Sequence, residues 1–150
     1  MTAALRLTLK QDADGTGELC AEVQVNGFSG IGAAWFNIAE IRDFGQLISR
    51  MYPLLPEQTY ELQGGYWSRE QQGRLEHVHL GIRFFPVGAL GQIVCRVNLA
   101  RQLEIASPAP EYAVTVELRT HYEGLQAFGA SIVAMTDGRS DEAVLACSGA

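Results

Sequence analysis

The chain has 150 residues, 47% of them apolar and 19% charged, so it can bury a conventional core without a metal or a disulfide. This length predicts one domain over residues 1–150 rather than two domains or a disordered tail. Seventeen acidic and eleven basic residues give a formal charge of -6. That charge disfavours nucleic acid as a partner and favours cationic partners.

The cysteines and the N-terminal segment indicate the cellular compartment. Cys20, Cys95 and Cys147 are widely spaced and include no C-x-x-C pair, so we expect reduced thiols rather than a disulfide framework or a zinc cluster. The first ten residues lack the apolar core of a secretory signal, and no run of about 18 apolar residues occurs. We therefore expect a bacterial cytoplasmic protein with no membrane segment and no cofactor.

The first 36 residues predict a three-stranded meander. Apolar residues alternate with polar ones from Leu5 and again from Leu19, and Asp and Gly residues between these runs are typical of a hairpin turn. Glycines at 27–30 indicate a second turn, and the run containing Ile31 and Trp35 predicts a third strand with Trp35 facing the core. Gly30 and Gly32 weaken this strand or mark a bulge.

A helix is predicted next, over Ile38–Arg50. Asn37 and Glu40 have the spacing of a capping box, and apolar residues then recur every three or four positions until Pro53. We expect Phe44 to lie in the middle of the buried stripe.

The second half predicts four more strands and a second helix. A strand at 59–63 is expected to stop at Gly64 and Gly65, with a loop at 68–73. Alternating runs near 77–84, 92–99 and 112–119 predict the other three strands. Thr120 and Glu123 predict a capping box, and Gly138 the end of the helix. The tail from residue 140 fits either an edge strand or a short helical turn.

These elements predict an α+β fold. We expect a largely antiparallel sheet of about six or seven strands, with two amphipathic helices packed on one face and the other face open to solvent.

The motif search favours no catalytic site. The chain contains no phosphate-binding glycine loop and no nucleophile elbow. His77 and His79 share one face of a strand, as in β-barrel metal enzymes, but the carboxylate that such sites add a few residues later is missing. The pair is a weak metal candidate, and the alternative is two histidines on the wetter face of a strand.

Aromatic and acidic residues are the candidates for partner binding. Tyr66 and Trp67 precede a polar loop that contains Arg69, so we expect this segment to be exposed and available as an interface. Glu22 and Glu117 are polar members of alternating strands, and strand parity places both on the open sheet face.

Four segments resemble small bacterial domains of unknown function, some of which look like immunity proteins of polymorphic toxin systems. They are Gly-Phe-Ser-Gly at 27–30, Ala-Trp-Phe at 34–36 before the capped helix, Gly-Gly-Tyr-Trp at 64–67, and the helix start at 117–122. The resemblance covers most of the chain in its order of elements and transfers no catalytic residue. It implies a cytoplasmic protein that blocks a secreted toxin, often a basic nuclease.

The sequence therefore predicts a non-enzymatic protein-binding domain whose partner is a protein, for example a basic toxin. Two alternatives stay open. One is a small metal-dependent enzyme that uses His77 and His79, and the other is a self-associating domain, such as a homodimer, that uses exposed strands.

Overall fold

The computed structural model describes residues 3–104 and 107–147. This part of the chain forms eight strands and two helices. In chain order they are β1 (Ala3–Gln11), β2 (Thr16–Val25), β3 (Phe28–Asn37), α1 (Ile38–Arg50), β4 (Tyr60–Trp67), β5 (Leu75–Val87), β6 (Gln92–Arg101), β7 (Tyr112–His121), α2 (Tyr122–Thr136) and β8 (Glu142–Cys147).

The strands form two antiparallel sheets rather than one. The first sheet has the order β3-β2-β1-β8 and the second has the order β4-β5-β6-β7. The α+β class with antiparallel sheets is confirmed, whereas the expectation of one sheet of six or seven strands is wrong. The tail supplies the eighth strand, because β8 pairs with β1 along Ala3 to Thr8.

Turn chemistry explains the two hairpins of the first sheet. Asp14 accepts hydrogen bonds from the N–H and the hydroxyl of Thr16, at 3.0 and 2.6 Å, and this holds the turn between β1 and β2. Asn26 and Gly27 both have positive φ and form a two-residue turn of the type that suits hairpins. The second turn is therefore shorter than predicted, and β3 already begins at Phe28.

Helix α1 begins and ends where the sequence predicts. The backbone N–H of Asn37 donates to Oε1 of Glu40 at 3.3 Å, which is one half of the expected capping box. Phe44 is buried, with its ring centroid 6.1 Å from that of Phe84. The buried stripe of α1 is thus confirmed.

The start of helix α2 differs from the prediction, but its end does not. Thr120 is buried in β7 and does not cap the helix, because the strand continues through His121. At the other end Gly138 has φ +74° and its N–H donates to the carbonyl of Met135 at 3.2 Å, as expected of a helix stop.

The two helices cross closely and lie against both sheets. Helix α1 contacts β3 and β4, while α2 contacts β1 and β8 on one side and β7 on the other. The prediction of helices on one face of one sheet is therefore wrong.

Where the two helices cross, a Cβ on Gly129 would lie 2.5 Å from the backbone nitrogen of Ser49 and 2.6 Å from the carbonyl oxygen of Gly45. Only glycine permits this approach.

Strand β3 contacts all four strands of the second sheet. Its pairing with β2 runs without a bulge, so Gly30 and Gly32 do not interrupt the ladder. They make room instead, because a Cβ on Gly30 would lie 2.4 Å from Cγ1 of Val114, and one on Gly32 would lie 3.1 Å from Leu99.

This crossing reverses the predicted orientation of β3. Ala34 and Phe36 face the core, while Ile31 and Trp35 face solvent. The prediction that Trp35 is buried is wrong, because both faces of β3 carry apolar residues and parity alone does not choose between them.

Strand β4 also continues further than predicted. It runs through Gly64 and Gly65 to Trp67, with shifts in its pairing with β5 after Gly64 and after Tyr66. Gly65 has φ +157°, and a Cβ there would lie 2.0 Å from the carbonyl oxygen of His77. Two glycines that predict the end of a strand instead form an irregularity within it.

Candidate interaction surface along strand β3

Large exposed apolar side chains lie along β3 and its neighbours. Ile31 and Trp35 are 68% and 53% exposed on β3, and Tyr112 of β7 and Trp67 of β4 are 62% and 47% exposed. These four residues are called the β3 strip. Residues from both sheets contribute to it because β3 crosses the second sheet.

A groove at one end of the strip contains Trp35 and Trp67. Its volume is about 240 Å³, and its other lining residues include Thr16, Phe36 and Glu40. The chain has two tryptophans, and the structure brings both of them into this groove. They are 32 residues apart in sequence and belong to different sheets.

A cleft of about 320 Å³ lies in the middle of the strip. Its apolar lining consists of Ile31 and the small residues Gly32, Ala33 and Ala100. Its polar lining consists of Glu18, His79, Arg101 and Gln102. Nε2 of His79 is buried and has no hydrogen-bond partner within the described residues. Burial, followed by the nearby charge of His77, lowers the pKa of His79, which therefore stays neutral at pH 7.

The third part of the strip is a shallow groove between Ile31 and Tyr112. Its volume is about 180 Å³, and Leu99 and Val114 contribute to its lining. Ile31 belongs to both this groove and the central cleft. The two depressions are therefore neighbours along β3 and share Ile31 as a wall.

Acidic residues border the strip. Glu18 is the cross-strand partner of Trp35, and Glu22 is the cross-strand partner of Ile31. Glu40 lines the tryptophan groove, and Arg101 is the cation in the central cleft. The strip thus combines apolar side chains with carboxylates, in a chain whose net charge is -6, while Arg6 and Lys10 lie on β1 across from Glu22 and Glu18.

The predicted partner-binding residues do not all come together. Trp67 joins the strip and Glu22 borders it, but Glu117 lies on the second sheet, where Arg96 contacts its Oε2 at 2.6 Å. Tyr66 is half-buried, with its ring centroid 5.9 Å from that of His77. The two glutamates therefore do not share one open sheet face.

Arg69 is exposed in the turn after β4, as expected of the polar loop. This turn is closed by the N–H of Ser68, which donates to the carbonyl of Arg74 at 2.8 Å. Arg69 is two residues after Trp67 in the chain, so it adds one positive charge near the tryptophan end of the strip.

Within the described part of the chain, the histidine pair has no third ligand beside it. His77 packs beside Tyr66, and His79 lies in the central cleft. Within residues 3–104 and 107–147, no group of three His, Cys, Asp or Glu side chains is placed to hold a metal ion. The sequence near His79 offers no third metal ligand, and no other element of the described chain brings one to the pair.

Ile31, Trp35 and Tyr112 are the members of the strip that sequence reasoning missed. Strand parity predicts a covered face for Ile31 and Trp35, and the alternating run near 112–119 gives no sign that Tyr112 is exposed. One signal in the sequence could have indicated their exposure: both faces of β3 are apolar, and Gly30 and Gly32 share one of them. Glycines on one face indicate that a second layer packs closely there, which leaves the other apolar face exposed.

A further cleft lies away from the strip. It has a volume of about 320 Å³, and its aromatic members are Tyr52 and Tyr122, whose ring centroids are 4.8 Å apart in an edge-to-face arrangement. None of the described residues that line it is charged. It therefore offers little to fix a charged ligand.

Neither helix of the described ranges has the length and apolar content that crossing a bilayer requires. Comparison with protein-family models, with curated proteins and with solved structures found no match. The function is therefore argued from the geometry of this chain alone.

Proposed function

We propose that the protein is a non-enzymatic binding domain of the immunity type, which acts in the bacterial cytoplasm by covering the functional surface of a basic protein toxin. The observation that carries the proposal is the β3 strip, where four large aromatic or aliphatic side chains are exposed along one line. Tryptophan and tyrosine are enriched among the residues that contribute most to protein interfaces. Exposed apolar side chains that cluster, rather than scatter, are typical of an interaction site.

The charges around the strip indicate the chemistry of the partner. Glu18 and Glu22 flank β3 and Glu40 lines its tryptophan groove, against Arg101 in the central cleft. An acidic rim around an apolar centre increases the association rate of a positively charged protein and disfavours acidic ones. Steric occlusion together with this attraction would inhibit a basic toxin without any chemical step.

Site-specific photo-crosslinking tests the proposal. A photoreactive benzophenone amino acid replaces Ile31, at the centre of the strip, and in a second variant it replaces Leu90, which is 92% exposed in the turn between β5 and β6. In cells that also express a candidate basic toxin, we expect the Ile31 variant to form an adduct with that toxin. Leu90 is the matched control and should form none.

Two outcomes would contradict the proposal. If both positions give the same adducts, or neither gives one, the strip is not a specific interface. An adduct of two copies of this 16.3 kDa chain would instead favour self-association.

Inhibition is tested with matched variants. Ile31→Asp places a charge in the strip, and Leu90→Asp makes the same change outside it. Loss of a buried interface anchor typically costs at least about 2 kcal/mol, or roughly 30-fold in affinity. We expect Ile31→Asp to lose inhibition of the toxin and Leu90→Asp to keep it.

A further inference from the structure

The tryptophan groove is shaped for a single side chain. Its volume of about 240 Å³ lies below the range of about 300–1,000 Å³ typical of small-molecule pockets. Two exposed indoles contribute to its walls, so the groove offers aromatic faces at its surface.

One carboxylate lines the groove and two others lie near its lining residues. Glu40 accepts the Asn37 N–H at Oε1, and Oε2 makes no hydrogen bond within the described residues. Glu18 lies across from Trp35 on β2, and Asp14 is held beside the groove by its two hydrogen bonds from Thr16. These bonds from Thr16, the hydroxyl first, lower the pKa of Asp14 and keep it ionised.

The nearby cations are fewer. Lys10 is the cross-strand partner of Glu18 on its other side, and Arg69 lies in the turn after Trp67. Neither lines the groove, whereas Glu40 does. Among the described residues that line the groove, the charged one is therefore the carboxylate of Glu40.

We propose that this groove receives an arginine side chain of the partner, with its guanidinium against an indole face and paired with Glu40. The proposal rests on the proposed function and names the chemistry that the strip recognises. A guanidinium is planar, so it stacks on an aromatic face while its edge donates to a carboxylate. Its aliphatic stem can pack against the exposed indoles of Trp35 and Trp67.

Other occupants fit less well. An acidic side chain would face the carboxylate of Glu40, and a purely apolar one would leave Oε2 of Glu40 without a partner while removing it from water. A lysine has the right charge but presents a compact ammonium that cannot both stack and form a forked pair. The combination of indole and carboxylate therefore favours arginine.

Intrinsic fluorescence tests this directly, because both tryptophans of the chain lie in the groove. The probes are capped tripeptides with glycine on either side of arginine, citrulline, lysine or norleucine. Citrulline keeps the shape of arginine without its charge, and norleucine keeps only an apolar stem. We expect the arginine peptide to change the emission saturably in the millimolar range, with citrulline and norleucine at least about fivefold weaker.

Two matched variants locate the effect. Glu40 and Glu123 are each acidic residues in the first turn of a helix, α1 and α2 respectively. Glu40→Gln should weaken the arginine peptide at least about threefold, while Glu123→Gln should leave it unchanged. Glutamine still supports a capping box, so helix α1 is expected to keep its start.

The outcomes separate this proposal from the proposed function. No saturable change with the arginine peptide, equal binding of citrulline or norleucine, or no effect of Glu40→Gln would overturn the arginine site. If the Ile31 crosslink then still captures the toxin, the proposed function stands without it. If the arginine peptide binds as expected but the crosslink fails, the groove stands and the proposed function falls.

Discussion

The crossing of the two helices gives a prediction in which two effects oppose each other. Gly129→Ala replaces a glycine in the middle of α2, and intrinsic helix propensity favours alanine there by about 1 kcal/mol. Propensity alone would therefore make the variant more stable.

Packing at the crossing predicts the opposite sign. The new Cβ would lie 2.5 Å from the nitrogen of Ser49, whereas ordinary contact begins at 3.4 Å, so the helices must separate by about 0.9 Å. A gap of about 0.5–1 Å forfeits a quarter to a half of each dispersion contact across it, and overpacking typically costs about 1–3 kcal/mol or more. Because α1 buries Ile41, Phe44 and Ile48, we expect the upper part of that range. The net loss is then about 2 kcal/mol.

Equilibrium denaturation in urea measures this difference, and a thermal scan should show a fall in Tm of about 4–8 °C for a chain of this size. Ala130→Gly, at an exposed position of the same helix, is the control and should cost about 1 kcal/mol through propensity alone. A Gly129→Ala variant as stable as the wild type would refute the close crossing.

Three further predictions concern the core, the charged rim and the thiols. Phe44→Ala should lower the free energy of unfolding by about 3–5 kcal/mol in denaturant titrations, since its ring is buried against the second sheet, and a loss below about 1 kcal/mol would place it in solvent. Glu22→Lys should slow association with the basic toxin and flatten its salt dependence in stopped-flow experiments. Glu117→Lys should do so less, because Glu117 is paired with Arg96 on the other sheet, and equal effects would contradict this placement. Burial raises the pKa of Cys147 to about 11, so its alkylation by iodoacetamide, followed by mass spectrometry, should be slow at pH 8 and accelerate up to about pH 11. The unfolded thiol ionises nearer the ordinary value of 9.0, so this group should also lower stability as the pH rises from about 9 to 11. Rapid alkylation at pH 8 would contradict the raised pKa of Cys147.

Several features follow from the sequence because their causes are local. Asn37 and Glu40 mark the start of α1, Gly138 marks the end of α2, and the alternation from Leu5 and Leu19 marks the first two strands. Capping, positive φ and strand periodicity each depend on residues within one or two turns of the chain, so local patterns suffice to predict them.

The arrangement of those elements depends on contacts between distant residues. Alternation predicts that a strand has one covered face, but the covering element for β3 is the second sheet, so Phe36 is buried and Trp35 is exposed. In the same way, β8 becomes a strand because β1 offers it an edge for pairing.

The candidate site shows the same division. The sequence indicates an exposed Trp67, but only the crossing of β3 over the second sheet brings Trp35 beside it and separates Glu22 from Glu117. Periodicity carries information about one element at a time. The surface along β3 is formed by residues from three or more strands, and their proximity is decided by how the two sheets pack.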